Sequence, residues 1–170
     1  MLASSRSDGN TRLALDILRE GYESEFVDLL QKRVATYDYN YGNRDDDFLP
    51  LARLLNQHDP IVFATPIYWY TMSAQLKVFL DRATDLLRYR EEREYGKLGH
   101  GLVGRKVFLL STGAEEEIPP AFEEPFRLTF EYLEMQWCGN LYVPFLEDAI
   151  VSDFERARIR EFAQRIFVAT

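Results

Sequence analysis

A single cysteine, Cys138, stands in 170 residues, which excludes an internal disulfide and any cysteine-held metal cluster. Two histidines occur, His58 and His100, far apart and without H-x-x-x-H or H-x-E spacing, so a metal site has little support. There is no G-x-x-x-x-G-K-[ST] phosphate loop and no G-x-S-x-G turn to present a hydrolase serine. No apolar run reaches the roughly 20 residues that span a bilayer. The N-terminus lacks a secretory pattern, and the expected compartment is the cytoplasm. Positive charge is also short: 20 basic residues face 28 acidic ones, for a formal net charge of −8. That balance argues against nucleic acid and membrane surfaces as partners. Repeats, low-complexity stretches and linkers are lacking as well. With 46% hydrophobic and 28% charged residues, the expectation is one globular domain over residues 1–170 with a substantial core.

What is present alternates between strand and helix signals. Met1-Leu2-Ala3 is a short apolar stub, followed by a polar loop, Ser4–Asn10. Leu13, Ala14, Ile17 and Leu18 predict a helix from about Thr11 to Glu20, closed by Gly21. Glu25–Leu30 can form a short strand, and the Tyr-rich Gln31–Asp47, ending in three aspartates, reads as a long solvated loop. A helix from Phe48 to Gln57 carries Pro50 in its first turn. Ile61–Thr65 is a core strand behind Pro60, ended by Pro66. Ser73 is the N-cap of a helix whose inward face is Leu76, Phe79, Leu80, Ala83 and Leu87. A charged stretch, Arg88–Lys97, and Gly-rich residues to Gly104 lead into a buried strand, Lys106–Ser111. Thr112–Glu117 is then a loop, with Glu115–Glu117 as solvated carboxylates or an influence on acceptor charge. Pro119-Pro120 introduce a helix to about Gln136, which puts Cys138 at its end as a buried core residue. Leu141–Phe145 is the last strand, and Ser152-Asp153 open a helix ending near Val168.

This alternation implies an α/β fold with a mainly parallel sheet covered on both faces. Five strands would take the flavodoxin-like order 2-1-3-4-5 in a three-layer sandwich, with Met1–Ala3 as what is present of the first strand. Ligands of such sheets sit beyond the carboxyl ends of the strands. Three loops reach that rim: Ser4–Asn10, Pro66–Met72 and Thr112–Glu117. The first surrounds Gly9 with hydroxyls and an amide at a helix start, where unpaired N–H groups suit a phosphate; an ordinary turn capped by Asn10 is the alternative. The second holds Ile67, Tyr68, Trp69, Tyr70 and Met72, large side chains placed to cover a flat ligand rather than to fill a core. Gly99–Gly104 spells G-x-G-x-x-G, but it precedes a strand instead of following one, so it reads as a flexible connection.

S-S-R-S-D-G-N-T at Ser4–Thr11, T-P-I-Y-W-Y-T-M-S-A-Q-L-K-V-F-L-D-R at Thr65–Arg82 and S-T-G at Ser111–Gly113 occur in that order. Together they resemble the NAD(P)H-dependent FMN reductase and quinone reductase group of the flavodoxin-like superfamily, over nearly the whole chain. The resemblance implies an FMN phosphate on Ser4, Ser5, Arg6, Asn10 and Thr11. It implies an isoalloxazine ring against Pro66, Ile67, Tyr68 and Trp69, with Thr112 and Gly113 along its other side. Members of the group have a full apolar first strand. The stub here therefore points to a misplaced or trimmed start, or to a shortened strand. Relatives with an iron–sulfur cluster hold it by cysteines after the second strand, and residues 31–60 contain none.

The implied activity is hydride transfer from NADH or NADPH through FMN to a small-molecule acceptor: a quinone, a flavin, or an azo or nitro compound. No catalytic acid or base is required of a side chain. Tyr68, Trp69 and Tyr70 either stack on nicotinamide and acceptor or pack on a neighbouring helix or subunit. Relatives form homodimers or homotetramers. The rival readings are a flavodoxin-type electron carrier between protein partners and a flavin-free binding protein of the same fold.

Overall fold

The computed structural model describes residues 1–40, 42–43, 45–88, 95–147 and 149–168. Three parallel strands form one sheet in the order β1-β2-β3: β1 (Ile61–Pro66), β2 (Lys106–Gly113) and β3 (Gln136–Pro144). Ile61 lies opposite Val107, and Lys106 opposite Gln136. Successive side chains of a strand point to opposite faces, and both faces here are apolar. Phe63, Val107 and Leu109 pack on one side with helices α2 (Phe48–Leu55), α3 (Ala74–Arg88), α4 (Tyr95–Gly101) and α5 (Glu124–Tyr132). Ala64, Phe108, Leu110 and Val143 pack on the other with α1 (Asn10–Arg19) and α6 (Asp153–Phe167).

Five strands were the expectation; three are present among the described residues. Met1–Ala3 lies beside β1 and makes strand-like bonds to both neighbours. Ala3 N–H donates to the Ala64 carbonyl (2.8 Å), Leu2 N–H to that of Val27 (2.7 Å), and Leu29 N–H to that of Leu2 (2.9 Å). Leu2 is bridged in parallel with both Ala64 and Asp28. Glu25–Leu30 is not a strand because its pairing ends at once. The Asp28 carboxylate accepts from Leu30 N–H (2.9 Å) and turns the chain into one turn of 3₁₀ helix, Leu29–Gln31.

Other corrections have local causes. Gly99–Gly104 is no flexible connection: α4 runs through Gly101. A Cβ on Gly99 would lie 2.8 Å from the Leu86 carbonyl oxygen, and one on Gly101 2.7 Å from the Asn56 side chain, so these glycines permit close packing. The charged stretch 89–94 lies outside the described residues. The helix expected from Pro119 is only α5, with Pro125 in its first turn, and it ends before Leu133. β3 starts at Gln136, five residues before the expected strand. Cys138 is therefore a half-exposed strand residue rather than a buried helix end. Between Val107 and Leu109 the register shifts, and β3 carries an extra residue there. Gly139, at φ +105, absorbs that bulge. β2 continues through Thr112 and Gly113, which were expected in a loop.

Asp46, expected in a solvated run, is buried against Arg82, itself 2% exposed. Arg82 also donates to Asp85 (2.8 Å) and to the carbonyls of Asn43 (2.8 Å) and Ala35 (3.2 Å). One arginine of α3 thus fixes the segment that sequence reading leaves as open loop. Ser73 caps α3 as expected, accepting from Leu76 N–H (3.3 Å). Ser152 caps α6 in the same manner.

Candidate functional site

The rim at the carboxyl ends of the strands holds a cavity of about 310 Å³, at the lower edge of the usual range for small-molecule sites, ~300–1,000 Å³. Nine of the eleven anticipated residues line it: Ser4, Arg6, Asn10 and Thr11 from the first loop, Pro66, Ile67 and Tyr68 from the second, Thr112 and Gly113 from β2. Ser5 and Trp69 do not. Gly9, Ala114 and Phe145 also line it; the first two lie in the anticipated rim loops, and sequence reasoning gave Phe145 no place in the site. Phe145 directly follows β3, so the rule that ligands sit at strand ends was the signal that pointed to it.

The first loop is tied at both ends. Ser73 Oγ donates to the Ala3 carbonyl (2.7 Å), and Ser73 N–H donates to Thr65 Oγ1 (3.1 Å). The α3 cap thereby anchors the chain just before Ser4. Arg6 N–H donates to Ser4 Oγ (3.4 Å), and the Arg6 guanidinium folds over Gly9, where a Cβ would come within 3.0 Å of Nε. α1 starts at Asn10 with no side-chain cap. Its first intrahelical bond runs from Leu13 N–H to the Gly9 carbonyl (3.0 Å), so the N–H groups before Leu13 point out of the helix end. Asn10 is not the cap: its Oδ1 accepts from Ala149 N–H (2.9 Å) across the chain. Thr11 is buried, and its hydroxyl lies 2.6 Å from that of Thr112. Among the described residues, Arg6 is the only basic one lining the cavity.

The opposite wall starts where β1 ends. Ile67 N–H donates to the Thr112 carbonyl (2.7 Å), and Phe145 N–H donates to that of Gly113 (2.8 Å), which locks the three strand ends together. Tyr68 and Thr71 exchange two backbone bonds, 2.9 and 3.1 Å, around a two-residue turn with Trp69 at φ +48 and Tyr70 at φ +67. That left-handed turn projects Trp69 into solvent, 92% exposed, with Tyr70 beside it. Only Tyr68 of the three aromatics reaches the cavity. Tyr142 hydroxyl donates to the Glu115 carbonyl (2.6 Å) and holds the chain after Gly113. Burial, then the nearby Glu115 charge, raises its pKa above the ordinary tyrosine value.

A second cavity, about 200 Å³, lies at the amino ends of the strands, beside Met1, Leu15, Val27 and Ile61. Arg19, Glu23, Ser24, Glu25, His58 and Asp59 also line it. Among the described residues no group of three histidine, cysteine or acidic side chains is placed to hold a metal ion. No described helix is long and apolar enough to cross a membrane.

A family model described as NADPH-dependent FMN reductase matches residues 1–147. An iron–sulfur flavoprotein of Archaeoglobus fulgidus is 33% identical over 132 residues, 69% of this chain and 56% of that protein. The chain spans about half the length of that relative and of another curated one. Among solved structures, the Trp repressor binding protein from Bacillus subtilis aligns over 97% of this chain and 96% of its own, with a TM-score of 0.72 and 22% identity. A flavodoxin, WrbA-like protein from Agrobacterium tumefaciens aligns over 99% and 93%, with a TM-score of 0.66 and 14% identity. These two likenesses establish an α/β flavodoxin-like fold.

Proposed function

This chain belongs to the NADPH-dependent FMN reductase family, and we propose that it is an FMN-dependent NAD(P)H oxidoreductase whose cofactor occupies the rim cavity. The observation that carries the proposal is the meeting of two unlike walls in one space. One is a helix start with outward N–H groups and the Arg6 guanidinium, and the other is an apolar strand end, Pro66-Ile67-Tyr68. A flavin mononucleotide needs both, an anion cradle for its phosphate and a flat apolar face with backbone groups for its ring. The donor set fits. Ser4, Arg6, Asn10 and Thr11 are the residues to hold the phosphate; Pro66, Ile67, Tyr68, Thr112 and Gly113 those to hold the ring. Ser5 and Trp69, outside the cavity wall, would join by turning inward.

Bound FMN supplies two-electron transfer between a nicotinamide donor and an acceptor. The chain's own contribution is to position and to exclude. The hydrogen bonds from Ile67 to Thr112 and from Phe145 to Gly113 hold the ring walls at a fixed separation, and buried Phe145 keeps water from the cavity floor. The exposed side of the cavity, below Tyr68, is left for the second substrate: a quinone, a flavin, or an azo or nitro compound. Exposed Trp69 and Tyr70 on the same rim support a homodimer or homotetramer, which sedimentation velocity tests directly.

The test of function is the absorption spectrum of the protein after incubation with FMN and desalting, before and after NADPH or NADH. A retained flavin band that bleaches with nucleotide and recovers with a quinone is expected. A protein that stays colourless overturns the proposal, and one whose flavin ignores both nucleotides makes it an electron carrier instead.

A further inference from the structure

Thr11 and Thr112 are 101 residues apart in sequence, and both are almost completely buried, at 2% and 3% exposure. Their hydroxyl oxygens are 2.6 Å apart, and among the described residues neither hydroxyl has another hydrogen-bond partner. A hydroxyl carries one proton and can accept two. Two hydroxyls facing each other therefore use one proton between them and leave the second without an acceptor. In a buried place an unused donor is costly, so the pair is complete only when something else accepts that proton.

The surroundings decide which proton is spare. Thr112 is the next-to-last residue of β2, and its backbone carbonyl is already engaged by Ile67 N–H (2.7 Å). Thr11 sits in the first turn of α1, beside Asn10 and the outward N–H groups of the helix start. Both residues line the rim cavity, but Thr11 alone belongs to the end of it that suits an anion. An anion there accepts from Thr11, and Thr11 in turn accepts from Thr112. A chain of this kind polarises each bond in it.

We propose that Thr112 is a positioning residue for the phosphate: it donates to Thr11 Oγ1, fixing the Thr11 proton toward the phosphate oxygen without touching the phosphate itself. The inference rests on the FMN reading of the cavity and deepens it. The sequence assigned Thr112 to the ring side of the site, whereas this role couples the ring side to the phosphate side through one side-chain bond.

The experiment compares FMN with riboflavin, which has the ring but no phosphate, by fluorescence quenching on the full chain. Failure of the FMN reading shows first, as wild-type protein that quenches neither ligand. With wild type binding FMN more tightly than riboflavin, T112V is expected to lower FMN affinity roughly 3- to 10-fold more than it lowers riboflavin affinity, the worth of one hydrogen bond. T112S, which keeps the hydroxyl, should restore the preference for FMN. T11V should lose that preference as well, and adding T112V to T11V should change it no further, because Thr112 acts only through Thr11. An equal loss for both ligands in T112V means that the residue merely shapes the cavity, and overturns the proposal. An additive effect in the double variant overturns it too, and so does an unchanged FMN affinity in T112V. Urea unfolding of each variant identifies any protein that has not folded; T112S then carries the comparison, and its failure to match wild type counts against the role.

Discussion

Replacing Arg82 with methionine should destabilise the chain more than any exposed substitution, and the structure sets the scale. Arg82 is 2% exposed and pairs with two buried carboxylates, Asp46 and Asp85, whose side chains are 6% and 9% exposed. It also serves two backbone carbonyls and lies 4.7 Å over the Phe48 ring. Methionine fills much of the volume but removes the guanidinium that both carboxylates and both carbonyls share. Breaking one side of a buried pair costs about 3–5 kcal/mol, and for a chain of this size each kcal/mol lowers the melting temperature by roughly 2–4 °C. R82M should therefore melt about 6–20 °C lower at neutral pH. Acid provides the internal check. Burial alone would raise the Asp46 carboxyl, but the N–H of Ala35, the Arg82 guanidinium and the N–H of Phe48 outweigh it, and the pKa falls below the ordinary value. A depressed carboxyl contributes stability that is fully present above its unfolded pKa and is lost as pH falls through the lower folded one. Without Arg82 much of that depression disappears. The gap between wild type and R82M in urea unfolding should thus be widest near neutrality and narrow below about pH 4. A gap under about 1 kcal/mol at pH 7, the range of exposed ion pairs, would refute the reasoning; so would a gap that stays constant down to pH 3.

Two further outcomes follow from the packing. Phe63 is 1% exposed, with its ring stacked 5.4 Å from Phe130 and tilted 6.1 Å from Phe79, so F63A should cost about 3–5 kcal/mol in urea unfolding; a loss below 1 kcal/mol would mean that this core collapses around the gap. A Cβ on Gly113 would come 2.7 Å from the Tyr142 hydroxyl, so G113A should weaken FMN binding by displacing that ring and the Glu115 carbonyl it holds. Adding Y142F, which removes the clashing oxygen, should recover part of the loss in the same fluorescence titration, and equal weakening in both variants would point to the cavity side of Gly113 instead.

What was legible in the sequence follows from how local each signal is. β1 and the start of α3 were readable because Pro66 and Ser73 act on their immediate neighbours. The rim loops were readable because the end of a strand is also where its loop begins. α4 was hidden by Gly99 and Gly101, residues that read as breakers but are required by the approach of Leu86 and Asn56. The early start of β3 was hidden by Gly139 and by the half-buried pattern of Gln136–Asn140, which lacks the apolar run of an inner strand. The role of Arg82 was not legible, since its partners Asp46 and Asn43 are 36 and 39 residues upstream. In the same way, nothing in S-D-G-N-T or in S-T-G announces that two of their threonines face each other.

The ties around the rim also explain why a site split between distant loops can be rigid. Thr65, Ser73 and Ala3 form one continuous hydrogen-bonded set, linking the end of β1, the cap of α3 and the start of the first loop. Ile67, Thr112, Gly113 and Phe145 form another, linking all three strand ends by backbone bonds. The Thr11–Thr112 bond joins α1 to that second set. Thr65, Ser73, Ala3, Thr11, Thr112 and Phe145 are buried and Ile67 and Gly113 half-buried, so displacing one wall of the cavity means breaking bonds that water does not readily replace. The Trp69-Tyr70 turn is the reverse case: exposed, held by two backbone bonds, and in a left-handed conformation that costs both residues. On the FMN reading this division matches the demands on the two ligands. A cofactor that stays bound through many cycles needs the fixed inner walls, whereas substrates that exchange each cycle need an outer edge that can adjust. A turn whose side chains have little burial to lose is the part of this rim that can move at least cost.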